Sequence, residues 1–257
     1  MRVGHFDRYI APKLGDTALE SIDRPMLQRF FNGIERSPRT VQMVHGTLSQ
    51  ILGLAERDAM IERNPAKWVR LPKADPLVPK PIEPWQLKEL LTGEQRELAL
   101  LCGSGLRLGE ALACGPGVLK DNWLSIESQV VQNGKGKAVR QGTLKTPASK
   151  RRIPFKFDMP AKIQWVEGNP PNVSSGLKRH CQRLGFVCTP HMLRHTFITT
   201  IEDLECPRRV VAELVGHTRP DTTDGYSKVA DEQKEKWMDK YWEFVLESGE
   251  LRIGRMA

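Results

Sequence analysis

The chain has 257 residues, enough for one large domain or two moderate ones, and its 39% hydrophobic content is ordinary for a protein that buries a core. Basic residues exceed acidic ones by eight and the isoelectric point is about 9.3, which favours polyanionic partners, DNA the commonest of them. The N-terminus lacks an apolar core of signal-peptide length and no stretch is long and apolar enough to span a bilayer, so a cytoplasmic protein with no membrane partner is expected. The five cysteines, Cys102, Cys114, Cys181, Cys188 and Cys206, form no C-x-x-C pair, which argues against a zinc site. Buried thiols in a reducing compartment account for them.

Ile22-Asp23-Arg24-Pro25 predicts a helix start with Asp23 as N-cap, after which Met26, Leu27, Phe30 and Phe31 recur at helical spacing. Ser37-Pro38 opens a longer helix on which Val41, Val44, Leu48, Ile51, Leu52 and Ala55 form an apolar stripe. Asn64-Pro65 ends the next short element. These segments predict a small helical domain over residues 1–72. Arg36, Arg39 and His45 lie at or beside the start of its longest helix and are candidate DNA-phosphate contacts, although a solvated face accounts for each equally well. The prolines in LPKADPLVPKPIEP can continue neither a helix nor a central strand, so residues 73–84 read as a stiff, extended linker.

The second domain, residues 85–257, opens with a helix from about Pro84 and another over Arg96–Leu101. WLSIESQVV, from Trp123, alternates apolar and polar residues as one half-buried strand does. Asn133-Gly134-Lys135-Gly136 is a turn signal without the spacing of a phosphate loop. A second strand is expected through Leu144, a turn at Pro147-Ala148-Ser149, a third strand over Arg151–Phe155, and helices from Ser174 onward. No internal repeat is visible.

Three constellations could carry chemistry. In Thr189-Pro190-His191-Met192-Leu193-Arg194-His195, a hydroxyl cap and a proline open a helix, placing His191 and Arg194 on one face of its first turn. Free N–H groups and the macrodipole make such a place attractive to anions, and a histidine beside a fixed guanidinium is a natural phosphate clamp, although a surface helix start with ordinary basic residues accounts for the motif equally well. Pro207 begins another helix, Gly216 reads as its C-terminal glycine, and His217 falls on the turn beyond. Tyr226 follows in the polar stretch DTTDGYSK, unlike Tyr241, whose neighbours Trp237, Trp242, Phe244 and Val245 suit an amphipathic packing helix. Upstream, Gly103-Ser104-Gly105 breaks a helix and Arg107 heads the next, with Glu110 three residues on and able to orient it.

GLRLGE, LKTPASKRRIP, HMLRH, LVGHT and Tyr226 resemble, in order and spacing, the catalytic signature of the tyrosine recombinases of the phage-integrase type. The resemblance covers the second domain, and the first is similar to the family's core-binding domain. It implies a mainly α fold with a small antiparallel β-sheet in the second domain. It also implies an enzyme that cuts and rejoins DNA through a covalent 3′-phosphotyrosine, without metal, cofactor or ATP. By resemblance, Arg107 and Arg194 hold the scissile phosphate, His191 accepts the tyrosine proton, His217 hydrogen-bonds the phosphate and Tyr226 is the nucleophile. Lys145 resembles the lysine that protonates the leaving 5′ oxygen. Lys150 in the same hairpin can be aligned there instead, but LKT ends a strand ahead of the turn, as the family pattern requires. Glu110 matches an acidic supporting position.

The implied partners are double-stranded DNA at specific sites, three further copies of the chain at synapsis, and DNA-bending accessory proteins. The aromatic C-terminal segment is a candidate for docking on a neighbouring protomer, with packing on its own domain as the alternative. Integration or excision of a phage or mobile element is the branch favoured by LKTPASKRRIP. A type IB topoisomerase-like enzyme and a DNA-binding descendant without catalysis are the rival readings.

Overall fold

The computed structural model describes residues 2–75, 80–144, 146–158, 169–217 and 229–248, and the chain divides into two compact units, residues 1–78 and 79–257. In the first unit, α1 (Arg2–His5) runs through a π-helical stretch (Phe6–Ile10) into α2 (Ala11–Leu14). Next come α3 (Arg24–Asn32) and α4 (Pro38–Arg57). The caps expected from sequence are present: Asp23 Oδ1 accepts from the Met26 N–H at 2.7 Å, and Ser37 Oγ accepts from Thr40 N–H at 3.4 Å. Leu27 and Phe31 of α3 meet Val41, Val44, Leu48 and Leu52 of α4 and Ile10 and Leu14 of the N-terminal helix in one core. Burying each of these side chains stabilises the unit by about 1.5–3 kcal/mol. Ile51 of the expected stripe is only partly buried, because it stands at the stripe's edge.

Asn64 ties the return of the chain to α4. It is 1% exposed; its Nδ2 donates to the Ser49 carbonyl at 2.9 Å and its Oδ1 accepts from Ala66 N–H at 2.9 Å. Beyond it, Gln28 exchanges two 2.9 Å hydrogen bonds with the backbone of Arg70, and Gln42 Nε2 donates to the Pro72 carbonyl at 3.0 Å. The side chains of α3 and α4 thus hold the segment down as far as Pro72.

In the second unit, packing begins inside the expected linker. Ile82 is buried, and its N–H donates to Thr196 Oγ1 at 2.9 Å, ahead of α5 (Pro84–Leu91). The remaining helices are α6 (Arg96–Gly103), α7 (Leu108–Leu112), α8 (Pro170–Arg183), α9 (Pro190–Asp203), α10 (Arg208–Val215) and α11 (Asp231–Glu247). Helix α8 starts four residues before the expected Ser174, with Pro170 in its first turn, where a missing N–H costs nothing. Leu98–Leu101 of α6, Phe197 and Ile201 of α9, Leu214 and Val215 of α10 and Tyr241 of α11 share the core. All five cysteines are buried free thiols.

Among the described residues there are five short strands where three were expected: β1 (Leu119–Lys120), β2 (Trp123–Ile126), β3 (Gln129–Gln132), β4 (Ala138–Gln141) and β5 (Arg151–Pro154). They form an antiparallel sheet in the order β1-β2-β5 and a separate β3-β4 hairpin. The single strand read in WLSIESQVV is two strands. Alternation continues through Leu124, Ile126 and Val130, but the pairing partner changes at Glu127-Ser128 from β5 to β4, which periodicity cannot reveal. The strand expected to reach Leu144 ends at Gln141. Asp121 and Asn122, both with positive φ (51° and 62°), make the two-residue β1–β2 turn. At the β3–β4 turn, Asn133 Oδ1 accepts from the N–H groups of Lys135 (3.0 Å) and Lys137 (2.9 Å).

Helix α11 packs through Met238, Tyr241, Trp242 and Val245 onto its own unit. The Tyr241 ring lies edge-on to Phe197, with ring centres 4.7 Å apart, so this tyrosine is a packing residue as expected. Through Glu247 the C-terminal segment therefore packs in cis. Residues 249–257 lie outside the described residues.

Candidate active site

The site is built where α6, α7, α9 and α10 end or begin around β5. Helix α6 stops at Gly103, and the chain turns through Gly105 at φ +88°. A Cβ on Gly105 would stand 2.8 Å from Phe197 Cδ1, so only glycine lets the turn approach α9. Arg107 follows as the N-cap residue of α7, and its N–H donates to Glu110 Oε2 at 3.0 Å. The same carboxylate accepts from Arg107 Nη1 at 2.7 Å and from Arg151 Nη2 at 3.0 Å, and Arg194 Nη1 lies 4.0 Å away. Three guanidiniums thus face one carboxylate whose side chain is 2% exposed.

The arginines are also tied to backbone carbonyls from distant parts of the chain. Arg194 Nη1 donates to Gly105 O at 2.5 Å and Nη2 to Val215 O at 2.8 Å. Arg107 Nη2 donates to Gly216 O at 3.3 Å, and its Nη1 reaches Ser149 Oγ at 3.4 Å. Arg151 donates through Nε to Leu214 O at 2.7 Å and through Nη1 to Ser149 O at 2.9 Å. The side chains of Arg194 and Arg151 are 3% and 6% exposed, whereas that of Arg107 is 29% exposed. Arg107 is therefore the member of the trio open to a ligand.

Burial pushes the Glu110 carboxyl up, but Arg151 and Arg107 outweigh it and hold its pKa below the usual carboxylate range. Burial, followed by repulsion from Arg107 and Arg151, brings Arg194 down to about 9. The excess of positive charge over Glu110 remains near neutral pH and stabilises a bound anion.

Thr189 caps α9 as expected, its Oγ1 accepting from Met192 N–H at 3.2 Å, and His191 stands exposed on the first turn. Its Nε2 lies 2.9 Å from Nε2 of His195. Gly216 ends α10 in the left-handed conformation (φ +67°), and the next N–H, that of His217, donates to Ala212 O at 2.9 Å. His217 is exposed beyond that turn. The pKa of each of these three histidines is lowered, by burial first. Next come His195 and Arg194 for His191, Arg194 for His195, and Arg194 and Arg107 for His217.

Arg107 and Glu110 at the head of α7, His191 and Arg194 at the start of α9 and His217 beyond α10 are thus brought to one place from three parts of the chain. Lys145 and Tyr226 lie outside the described residues. Lys150 is exposed and pairs with Glu127 at 3.3 Å. In the first unit, Arg36 and Arg39 are exposed. His45 is turned inward: its Nε2 is 2.9 Å from the Ala66 carbonyl and its ring packs edge-on to Phe31, so it anchors the unit and does not present a free DNA contact. The sequence reading did not single out Arg151, Ser149 or His195. For Arg151 a signal existed in KRRIP: on β5 it shares parity with the buried Ile153, so it points inward. Among the described residues no group of three or more His, Cys, Asp or Glu could hold a metal ion, and no helix is long and apolar enough to cross a membrane.

The phage integrase family model matches residues 169–233, the stretch from α8 into α11 that contributes His191, Arg194 and His217. Tyrosine recombinase XerC of Alcanivorax borkumensis is 29% identical over 217 residues, which cover 75% of this chain and 69% of that protein. Among solved structures, the Tn1549 transposon integrase in complex with transposon right end DNA superposes with a TM-score of 0.65 at 16% identity, over 93% of this chain and 92% of that one. A lambda integrase tetramer bound to a Holliday junction gives 0.62 at 17% identity, over 88% and 73%. The fold is that of the DNA integrases, a helical unit joined to a mixed unit with small antiparallel sheets. The matched segment and the relatives in sequence support a tyrosine recombinase of the phage integrase family.

Proposed function

We propose that this chain is a site-specific DNA recombinase that cleaves and rejoins strands through a 3′-phosphotyrosine on Tyr226, and that it integrates or excises a phage or mobile genetic element. The observation that carries this reading is the carboxylate-centred trio of arginines with Arg107 open to solvent and His191 and His217 beside it. A phosphodiester gains negative charge at its oxygens when an enzyme hydroxyl attacks it. Cationic donors fixed before the reaction stabilise that charge more than the ground state. Arg107 binds the phosphate directly. Arg194, held beneath by Gly105 and Val215, adds charge, and His217 supplies a further hydrogen bond.

A phenol has a pKa of about 10, so Tyr226 must lose its proton to a neighbour, and His191, kept neutral by its surroundings, is that acceptor. Lys145 protonates the departing 5′ oxygen. The phosphotyrosine conserves the energy of the broken bond, so rejoining needs no ATP. Residues 1–72, with Arg36 and Arg39 exposed, act as the core-binding domain, and residues 73–84 as the link to the catalytic domain. The protein works on DNA in the cytoplasm. Four protomers assemble on two duplexes, an arrangement supported by the fold shared with the lambda integrase tetramer, and DNA-bending proteins assist.

The test is to trap covalent protein–DNA adducts on fragmented host and element DNA and sequence the attached ends, with Tyr226→Phe as control. Adducts at defined sites that vanish in the variant are expected. Adducts that persist in Tyr226→Phe would remove Tyr226 from its role.

A further inference from the structure

His191 and His195 are four residues apart at the start of α9, so their side chains lie on one face of the helix. Their Nε2 atoms are 2.9 Å apart, with the rings perpendicular (90°) and their centres separated by 4.4 Å. Two imidazole nitrogens at that separation share one hydrogen. A second N–H would set two protons against each other, and none would set two lone pairs face to face. The pair therefore fixes both tautomers: the donor carries its proton on Nε2 and the acceptor on Nδ1.

We propose that His195 is a positioning residue that accepts the hydrogen bond from His191 Nε2–H and so leaves His191 Nδ1 with a free lone pair. The reverse bond would occupy Nε2 and place the proton on Nδ1, and neutral His191 would then have no open site for a further proton. The proposal rests on the reading of His191 as the acceptor of the Tyr226 proton. When Nδ1 takes that proton, His191 becomes a cation and its bond to His195 becomes charge-assisted, which stabilises a charge present only during reaction. The proton stays on His191. The charged or titratable groups acting on the pair are Arg194 from the same helix and Arg107 at the head of α7, with His217 beyond α10 close enough to feel His195. All are basic, so among the described residues His195 is the acceptor that meets the His191 ring.

Long-range proton–nitrogen correlation spectra of the full chain, labelled with ¹⁵N-histidine, report each tautomer without reference to activity. At mildly alkaline pH the wild type should show His191 protonated on Nε2 and His195 on Nδ1. His195→Ala should let His191 average between tautomers and slow single-turnover cleavage about tenfold, the equivalent of one pKa unit of basicity, with DNA affinity unchanged. His195→Gln, whose amide oxygen can accept the same bond, should restore both the tautomer and most of the rate. A wild-type His191 protonated on Nδ1, a His195→Ala chain with unchanged tautomer and rate, or a His195→Gln chain as slow as His195→Ala would each overturn the proposal. Wild-type cleavage by His191→Ala with the expected tautomers in the unmodified chain would instead bring down the proton-acceptor reading, and the purpose assigned to the bond with it.

Discussion

The carboxylate of Glu110 and the guanidinium of Arg151 meet at 3.0 Å with their side chains 2% and 6% exposed. Neither charge has water to fall back on. Arg107 hangs from the same carboxylate, so the orientation of the open arginine depends on a buried pair behind it.

Glu110→Gln keeps the shape but removes the one carboxylate that faces the three guanidiniums among the described residues. An uncompensated buried charge costs about 3–5 kcal/mol. Urea denaturation should show a loss of that order, and adduct formation should be abolished at temperatures where the variant is still folded.

Arg151→Lys should also fail, because one ammonium cannot reproduce the planar set of bonds to Leu214 O, Ser149 O and Glu110. Lys150, its neighbour, is an exposed partner of Glu127. Lys150→Ala should change stability by less than about 1 kcal/mol. Lys145→Ala should slow cleavage far more than binding. A dead Lys150→Ala beside an active Lys145→Ala, read by single-turnover assay, would exchange the two assignments.

Gly105→Ala introduces a Cβ 2.8 Å from Phe197 Cδ1 at φ +88°, and Gly216→Ala one 2.9 Å from Arg151 Nη1 at φ +67°. Strained backbone of this kind costs about 1–3 kcal/mol per site. Thermal unfolding should register both. Gly216→Ala should in addition weaken DNA cleavage, since it pushes on Arg151 and on the carbonyl that Arg107 binds.

The pKa values of His191, His195 and His217 are held below the ordinary 6.5. Between the lowered folded values and the unfolded one, the unfolded chain binds more protons, so stability rises with pH across that window. This contribution is fully present above about 6.5 and is lost as pH falls through the window toward the folded values. Denaturation midpoints measured from neutral to mildly acidic pH should fall. His217→Gln should flatten part of that slope. A slope unchanged by the substitution would show that His217 titrates alike in both states.

Much of this protein could be read from local signals. Asp23, Ser37 and Thr189 announce helix starts because a cap acts within three residues, and Gly216 announces a helix end because its left-handed φ is a property of one position. The order of GLRLGE, HMLRH and LVGHT pointed to the candidate site by resemblance. What those motifs do to one another was decided only in the tertiary structure. Arg107 binds a carbonyl 109 residues away and Arg194 one 89 residues away, and no periodicity encodes such a pairing. The change of strand partner at Glu127, the inward turn of His45 and the burial of Arg151 behind Glu110 have the same origin. A residue's spacing sets which face it occupies, but what lies against that face is chosen by the packing of the whole unit.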